Sequence, residues 1–230
     1  MTAINHKLSK GAHVLAFVTL LLSGCAVMTS SQEELPSARE SDDEIKLRIG
    51  EGNPVEGKGK AELCFGCHGE DGNSLDTLIP KLSGQYGIYI TKQLHDFQDN
   101  LRNHQMMSPI AATVRYEDMA DIAAYFAGQA MMKGERTSVN RTGKKLFEND
   151  DMSRMMVRCN SCHGVTGKGQ NPGNPASPVI GGQHKEYLLS QLLKFKKGEL
   201  SNSQSGVMNI IVQRLSDDEL GALAEYISGL

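Results

Sequence analysis

The chain has 230 residues, of which 39% are apolar, 22% charged and only 5% aromatic, with no tryptophan. This balance excludes a disordered chain and a multi-span membrane protein, and a formal net charge of −3 offers no basic stripe for nucleic acid. The length suits one large or two small domains, and two small cores would be short of aromatic filling.

Lys7 and Lys10 precede a short apolar run from Val14 to Leu22. A spanning helix needs about 20 apolar residues, so residues 1–24 read as a secretory signal instead. The segment Leu22-Ser23-Gly24-Cys25 resembles a bacterial lipobox, in which the cysteine is lipidated and becomes the mature N-terminus. An ordinary signal peptide with an incidental cysteine is the alternative. Under the lipobox reading, Cys25 tethers an exported chain to the periplasmic side of a membrane. Residues 25–52 are rich in Ser and Glu, contain Pro36 and Gly50, and lack a helical apolar stripe. They read as a flexible acidic tether, with no structure assigned.

The remaining four cysteines fall in two identical spacings, Cys64-Phe65-Gly66-Cys67-His68 and Cys159-Asn160-Ser161-Cys162-His163, each followed by glycine. Cys-x-x-Cys-His is the attachment signature of c-type haem. Thiols three residues apart can add to the two vinyl groups of one porphyrin, and the adjacent histidine then faces the iron. A shared zinc ion is disfavoured because the ribbon spacing between such pairs is about 15–20 residues, and these pairs are far more widely separated. A thioredoxin-like pair belongs near a βαβ pattern, and no strand-rich segment precedes either motif. A disulfide closing so small a loop would stabilise little. Two covalently attached haem c groups are therefore expected, through Cys64, Cys67, Cys159 and Cys162, with His68 and His163 as iron ligands. Burial of two large apolar porphyrins also accounts for the scarcity of aromatic residues.

Setting the two motifs in register exposes a tandem repeat. Pro80-Lys81-Leu82-Ser83-Gly84-Gln85 corresponds to Pro178-Val179-Ile180-Gly181-Gly182-Gln183. Helical spacing follows in Ile90, Leu94, Phe97 and Leu101, and again in Leu188, Leu192 and Phe195. Next, Met107-Ser108-Pro109-Ile110 aligns with Met208-Asn209-Ile210-Ile211, in what reads as a polar loop before a terminal helix. Those last helices carry Met119, Ile122, Ala123 and Phe126, and Leu220, Leu223, Ala224 and Ile227; the second opens with the capping box Ser216-Asp217-Asp218-Glu219. Helices are also expected before each haem motif, around 57–63 and 142–149. Most of the eleven methionines read as packing or surface residues. Met107 and Met208 hold equivalent places in both repeats, and His with Met is a standard axial pair that raises the reduction potential of haem iron. Met106 is the local rival to Met107. His95, His104 and His184 have no counterparts in the other repeat and read as surface or supporting residues.

Taken in order and found twice, the Cys-x-x-Cys-His-Gly, Pro-x-x-x-Gly-Gln and Met-x-x-Ile blocks resemble the dihaem class I cytochromes c of the cytochrome c4 family. The resemblance implies an all-α fold of two tandem cytochrome c domains, each enclosing one haem, with domains at 53–130 and 140–230 and a linker at 131–139. It also implies that Pro80 and Pro178 lie on the proximal side and orient His68 and His163. An Asn- and Pro-rich insertion, 169–178, departs from the first repeat, and a lipid anchor is not general in the family.

Residues 25–130 carry a net charge of −8 and residues 131–230 a net charge of +3, with much of the former in the tether. A weak dipole of this kind can orient partners, although ordinary solvated faces explain it equally. The expected role is that of an electron carrier rather than an enzyme, since each iron would be closed by two protein ligands. The expected partners are a membrane oxidase, a quinol-oxidising complex or periplasmic acceptors. The alternatives are a dihaem peroxidase and a fixed electron-transfer subunit of a larger membrane complex.

Overall fold

The computed structural model describes residues 41–134, 139–171, 174 and 177–230. The signal segment, the lipobox with Cys25, part of the linker and part of the insertion lie outside the described residues. Among the described residues the chain is helical, and its one β-bridge joins Asp151 to Met156.

The first half contains α1 (Asp42–Ile49), α2 (Pro54–Lys60), α3 (Glu62–His68), α4 (Gly87–Gln98), α5 (Met107–Ala111) and α6 (Met119–Ala127). The second repeats the last five as α7 (Arg141–Glu148), α8 (Asn160–His163), α9 (Lys185–Lys197), α10 (Val207–Val212) and α11 (Asp217–Ser228). Local signals set the helix starts. The Asn53 side chain accepts the Val55 and Glu56 amides and Pro54 occupies the first turn, where its missing N–H costs nothing. Asn140 caps α7 through the Gly143 amide. The predicted capping box at Ser216 and Glu219 is formed in both directions.

α2 crosses α6 closely, α7 crosses α11 in the same way, and a glycine makes each crossing possible. A Cβ on Gly57 would run into the Asp121 carbonyl, and one on Gly143 into the Ala222 carbonyl. The predicted apolar faces of α6 and α11 are buried in full. Ile90, Leu94, Ile122 and Phe126 belong to the first core, and Leu146, Phe147, Leu188, Leu220, Leu223 and Ile227 to the second. Phe126 and Phe147 have no exposed surface; truncating a residue of that kind to alanine costs about 3–5 kcal/mol.

Several expectations need correction. Residues 42–49, expected to lie without structure in a segment over 25–52, form α1. This helix needs no apolar stripe: Ser41 and Glu44 form a capping box, acids fill its first turn and bases its last, matching the helix dipole. Arg48, buried, then donates to the Ala127 and Gln129 carbonyls and fastens α1 to the end of α6. The helix expected over 57–63 is two helices, which meet at Ala61. Both methionine segments are short helices rather than loops. Leu101 lies beyond the end of α4 and is 64% exposed. The start of the linker is packed, with Met132 buried against Tyr86 and Val179 from the two halves.

The halves meet through polar as well as apolar groups. Arg102 donates to Gln93 on α4 and to Tyr187 and Gln191 on α9, while its guanidinium lies 4.8 Å from the Phe97 ring centre. Asn202 joins the same network through Gln93 and Asp96. Burial works against the charge on Arg102, but the surrounding Tyr187, Tyr89 and Asp96 hold its pKa above the usual value.

Candidate haem and iron-ligand sites

Cys64 and Cys67 lie on α3; Cys159 caps α8 and Cys162 lies within it. Residues three apart share one side of a helix, so each pair of thiols faces the same way. The exposure pattern is duplicated as well, with Cys64 and Cys159 half-buried and Cys67 and Cys162 exposed. Burial, aided by the neighbouring Cys67, pushes the Cys64 thiol up to about 11, and burial likewise pushes Cys159 up to about 11. No disulfide joins any of the four.

Both helices stop at the histidine. Gly69 and Gly164 follow at φ 80°, a left-handed conformation that a side chain disfavours, and this explains the glycine in both motifs. The buried His68 ring places Nδ1 2.9 Å from the Pro80 carbonyl oxygen, and the buried His163 ring places its Nδ1 3.0 Å from that of Pro178. A carbonyl only accepts, so Nδ1 carries the proton and Nε2 keeps its lone pair. Burial holds both imidazoles below their usual pKa, while the proline carbonyls oppose that shift. Each ring is therefore neutral near pH 7, which is the form that binds a metal.

Met107 packs against the first core, which also receives Cys64; Met208 packs against the second, which also receives Cys159. Met106 is 58% exposed. Two side chains hold the methionine segments: His104, read in the sequence as a surface or supporting residue, and Ser203, which was overlooked. His104 Nδ1 accepts the Met106 and Met107 amides at 3.3 Å, and Ser203 Oγ accepts the Met208 amide at 3.3 Å. His104 thus supports α5, whereas His95 stacks on Tyr116 and His184 Nε2 lies 3.0 Å from the Ser74 hydroxyl in the other half. Also overlooked were Gln85 and Gln183, which the repeat exposed without a role and which reach across to the opposite half. A contact so distant in sequence leaves no local pattern to read.

In each half the donor set fits a covalently attached haem. It consists of two thiols on one helix side, a buried neutral imidazole with a free Nε2, and a thioether on the same core. Across the halves, the thiol pairs do not converge, and among the described residues no three His, Cys, Asp or Glu side chains gather as a metal site.

The family model described as "Cytochrome c" matches residues 141–230. Cytochrome c4 of Pseudomonas aeruginosa is 36% identical over 181 residues, covering 78% of this chain and 89% of that protein. The thiosulfate dehydrogenase electron acceptor of Stutzerimonas stutzeri is 30% identical over 216 residues, covering 91% of this chain and 94% of that protein. The crystal structure of reduced recombinant cytochrome c4 from Pseudomonas stutzeri superposes with a TM-score of 0.72 at 33% identity, covering 78% of this chain and 99% of that one.

Proposed function

We propose, for a chain that belongs to the cytochrome c4 family of dihaem class I cytochromes c, the role of a membrane-tethered electron carrier on the periplasmic side. Its two covalently attached haem c groups make it an electron-transfer cytochrome, and the donor, the acceptor and the anchor are the parts proposed here. Electrons enter from a respiratory donor and leave to a terminal oxidase or another periplasmic acceptor. The tether starts at Cys25 and ends where α1 begins, with the first haem domain at 53–130 and the second at 140–230.

One observation carries the reading: the same arrangement of buried histidine, proline carbonyl and core-packed methionine occurs in both halves. We assign His68 with Met107, and His163 with Met208, as the residues that would hold the iron of each haem. When bound, haem supplies reversible one-electron chemistry at iron. The chain's own task is then to hold the ring, close both axial positions and exclude water. The proline carbonyl fixes each imidazole tautomer and raises its basicity. The thioether favours the ferrous state and raises the potential.

The test is the weak near-infrared band of methionine–iron ligation in the ferric protein. Met107→Ala and Met208→Ala should each remove about half of it, and Met106→Ala should leave it intact. A full band in either ligand variant would overturn the assignment there. Negligible turnover of hydrogen peroxide should accompany the intact band; rapid turnover would favour a peroxidase.

A second reading concerns the donor. One relative, covering 91% of this chain, is named an electron acceptor of thiosulfate dehydrogenase, which supports a periplasmic sulfur-oxidising dehydrogenase as the source of electrons. Rapid reduction of the purified chain by thiosulfate with such an enzyme is expected. No reduction under conditions where a known acceptor responds would count against it.

A further inference from the structure

Gln85 and Gln183 occupy equivalent places in the two Gly-Gln blocks, and both are buried. From the second half, Gln183 reaches into the first, where its Oε1 accepts the Lys81 amide and its Nε2 donates to the Lys81 carbonyl, both at 2.9 Å. From the first half, Gln85 does the same to the second. Its Oε1 accepts the Val179 amide at 2.9 Å and its Nε2 donates to the Val179 carbonyl at 2.7 Å. Each Oε1 also accepts the amide of the next residue in its own half, Tyr86 or His184, at 3.0 Å. The glutamines thus form a reciprocal clasp across the interface.

What the clasp holds gives it a consequence. The amide of Lys81 and the carbonyl of Pro80 belong to one peptide group, which is planar and rigid. Its oxygen accepts from His68 Nδ1 and its N–H donates to Gln183. The peptide between Pro178 and Val179 stands in the same relation to His163 and Gln85. Hydrogen bonds in such a chain polarise one another, so accepting the amide proton makes the proline oxygen a better acceptor. A better acceptor on Nδ1–H makes the imidazole a stronger donor to iron, which favours the ferric state.

We propose that Gln85 and Gln183 are positioning residues acting crosswise, each lowering the reduction potential of the haem in the opposite domain. The proposal rests on the assignment of His68 and His163 as iron ligands. It also ties the electronic tuning of each centre to the docking of the two domains.

The experiment is a potentiometric titration of the full dihaem protein carrying Gln183→Leu or Gln85→Leu. Gln183→Leu should raise the potential of the first-domain centre alone by about threefold in its one-electron equilibrium, about 28 mV at ~59 mV per tenfold. Gln85→Leu should do the same to the second-domain centre alone. The first-domain couple is identified as the one displaced by Met107→Ala. Tyr86→Phe, which removes the Tyr86 hydroxyl bond to the Lys168 carbonyl at the same interface, should leave both potentials unchanged. Gln183→Glu keeps an oxygen for the Lys81 amide and should not raise the first couple, which tests the same contact if a leucine variant does not accumulate.

Three results would overturn the proposal: unchanged potentials in the leucine variants, a shift in the substituted domain's own centre, or a fall in both. A fall in both would mark water entering a loosened interface, because exposure favours the more highly charged ferric centre. If Tyr86→Phe reproduced the crossed pattern, loosening alone would explain it. If Met107→Ala displaced neither couple, the ligand assignment itself would fail, whatever the glutamines do.

Discussion

Two kinds of group matter at the scale of single residues: those proposed to bind iron and those that hold them in place. The proline carbonyls belong to the second kind, and their expected role rests on a family pattern rather than on spacing. Their contacts of 2.9 and 3.0 Å with the histidines show why proline suits the place, since it presents a carbonyl without an N–H of its own. The exposure of Met106 supports Met107 as the ligand, the choice that equal spacing to Ile110 and Ile211 in the two repeats already favoured. Charge placement also matters at this scale. The side chains of Arg115 and then Lys60 hold the Asp118 carboxyl down at about 2, and Ser153 and Arg154 do the same for Asp151. Carboxyls lowered in this way stabilise the fold above the ordinary value near 3.8, and that stability is lost as pH falls toward 2. Urea unfolding at stepped pH should therefore show a loss between about pH 4 and 2 that is shallower in Asp118→Asn. An unchanged slope would show that the pairing does not contribute.

Among the elements, the close crossings of α2 with α6 and α7 with α11 are the least tolerant points. A side chain at Gly57 or Gly143 meets a backbone carbonyl, which cannot rotate away. Overpacking typically costs about 1–3 kcal/mol. Gly143→Val should lower the melting temperature far more than Ser216→Ala, which removes a cap worth about 1 kcal/mol. Equal small losses in thermal melts of the two variants would mean that the helices can part without penalty. The terminal helices were legible in the sequence because their apolar periodicity reports burial directly: all eight predicted face residues are buried. α1 escaped notice for the opposite reason. A capping box starts it and the buried Arg48 fastens it, and an apolar stripe is the wrong signal for such a helix. The methionine segments read as a polar loop before the last helix, yet a proline in the first turn of a short helix forfeits no internal bond.

Across the whole molecule, duplication was plain in the sequence while the contacts between copies were not. The motifs repeat within each half, but Gln85 meets Val179 and Gln183 meets Lys81 across about a hundred positions. The Arg102 network also joins α4 to α9. Arg102→Leu should leave Gln93, Tyr187 and Gln191 without their common donor and speed amide exchange in α4 and α9 together. Faster exchange in one helix alone would show that the network does not couple the halves. α1, which follows the proposed tether, is fastened to the first half by Arg48. Cys25→Ser should release the chain into the soluble periplasmic fraction, and undiminished membrane retention would refute the anchor.

The proposed carrier role requires both irons to be closed by protein. The most direct measurement is a redox titration of the resting full-length protein, followed in the visible and near infrared. The account predicts two reversible one-electron steps, with both ferric centres low-spin and the methionine band at the strength of two haems. A high-spin, water-ligated centre in the resting protein would contradict it.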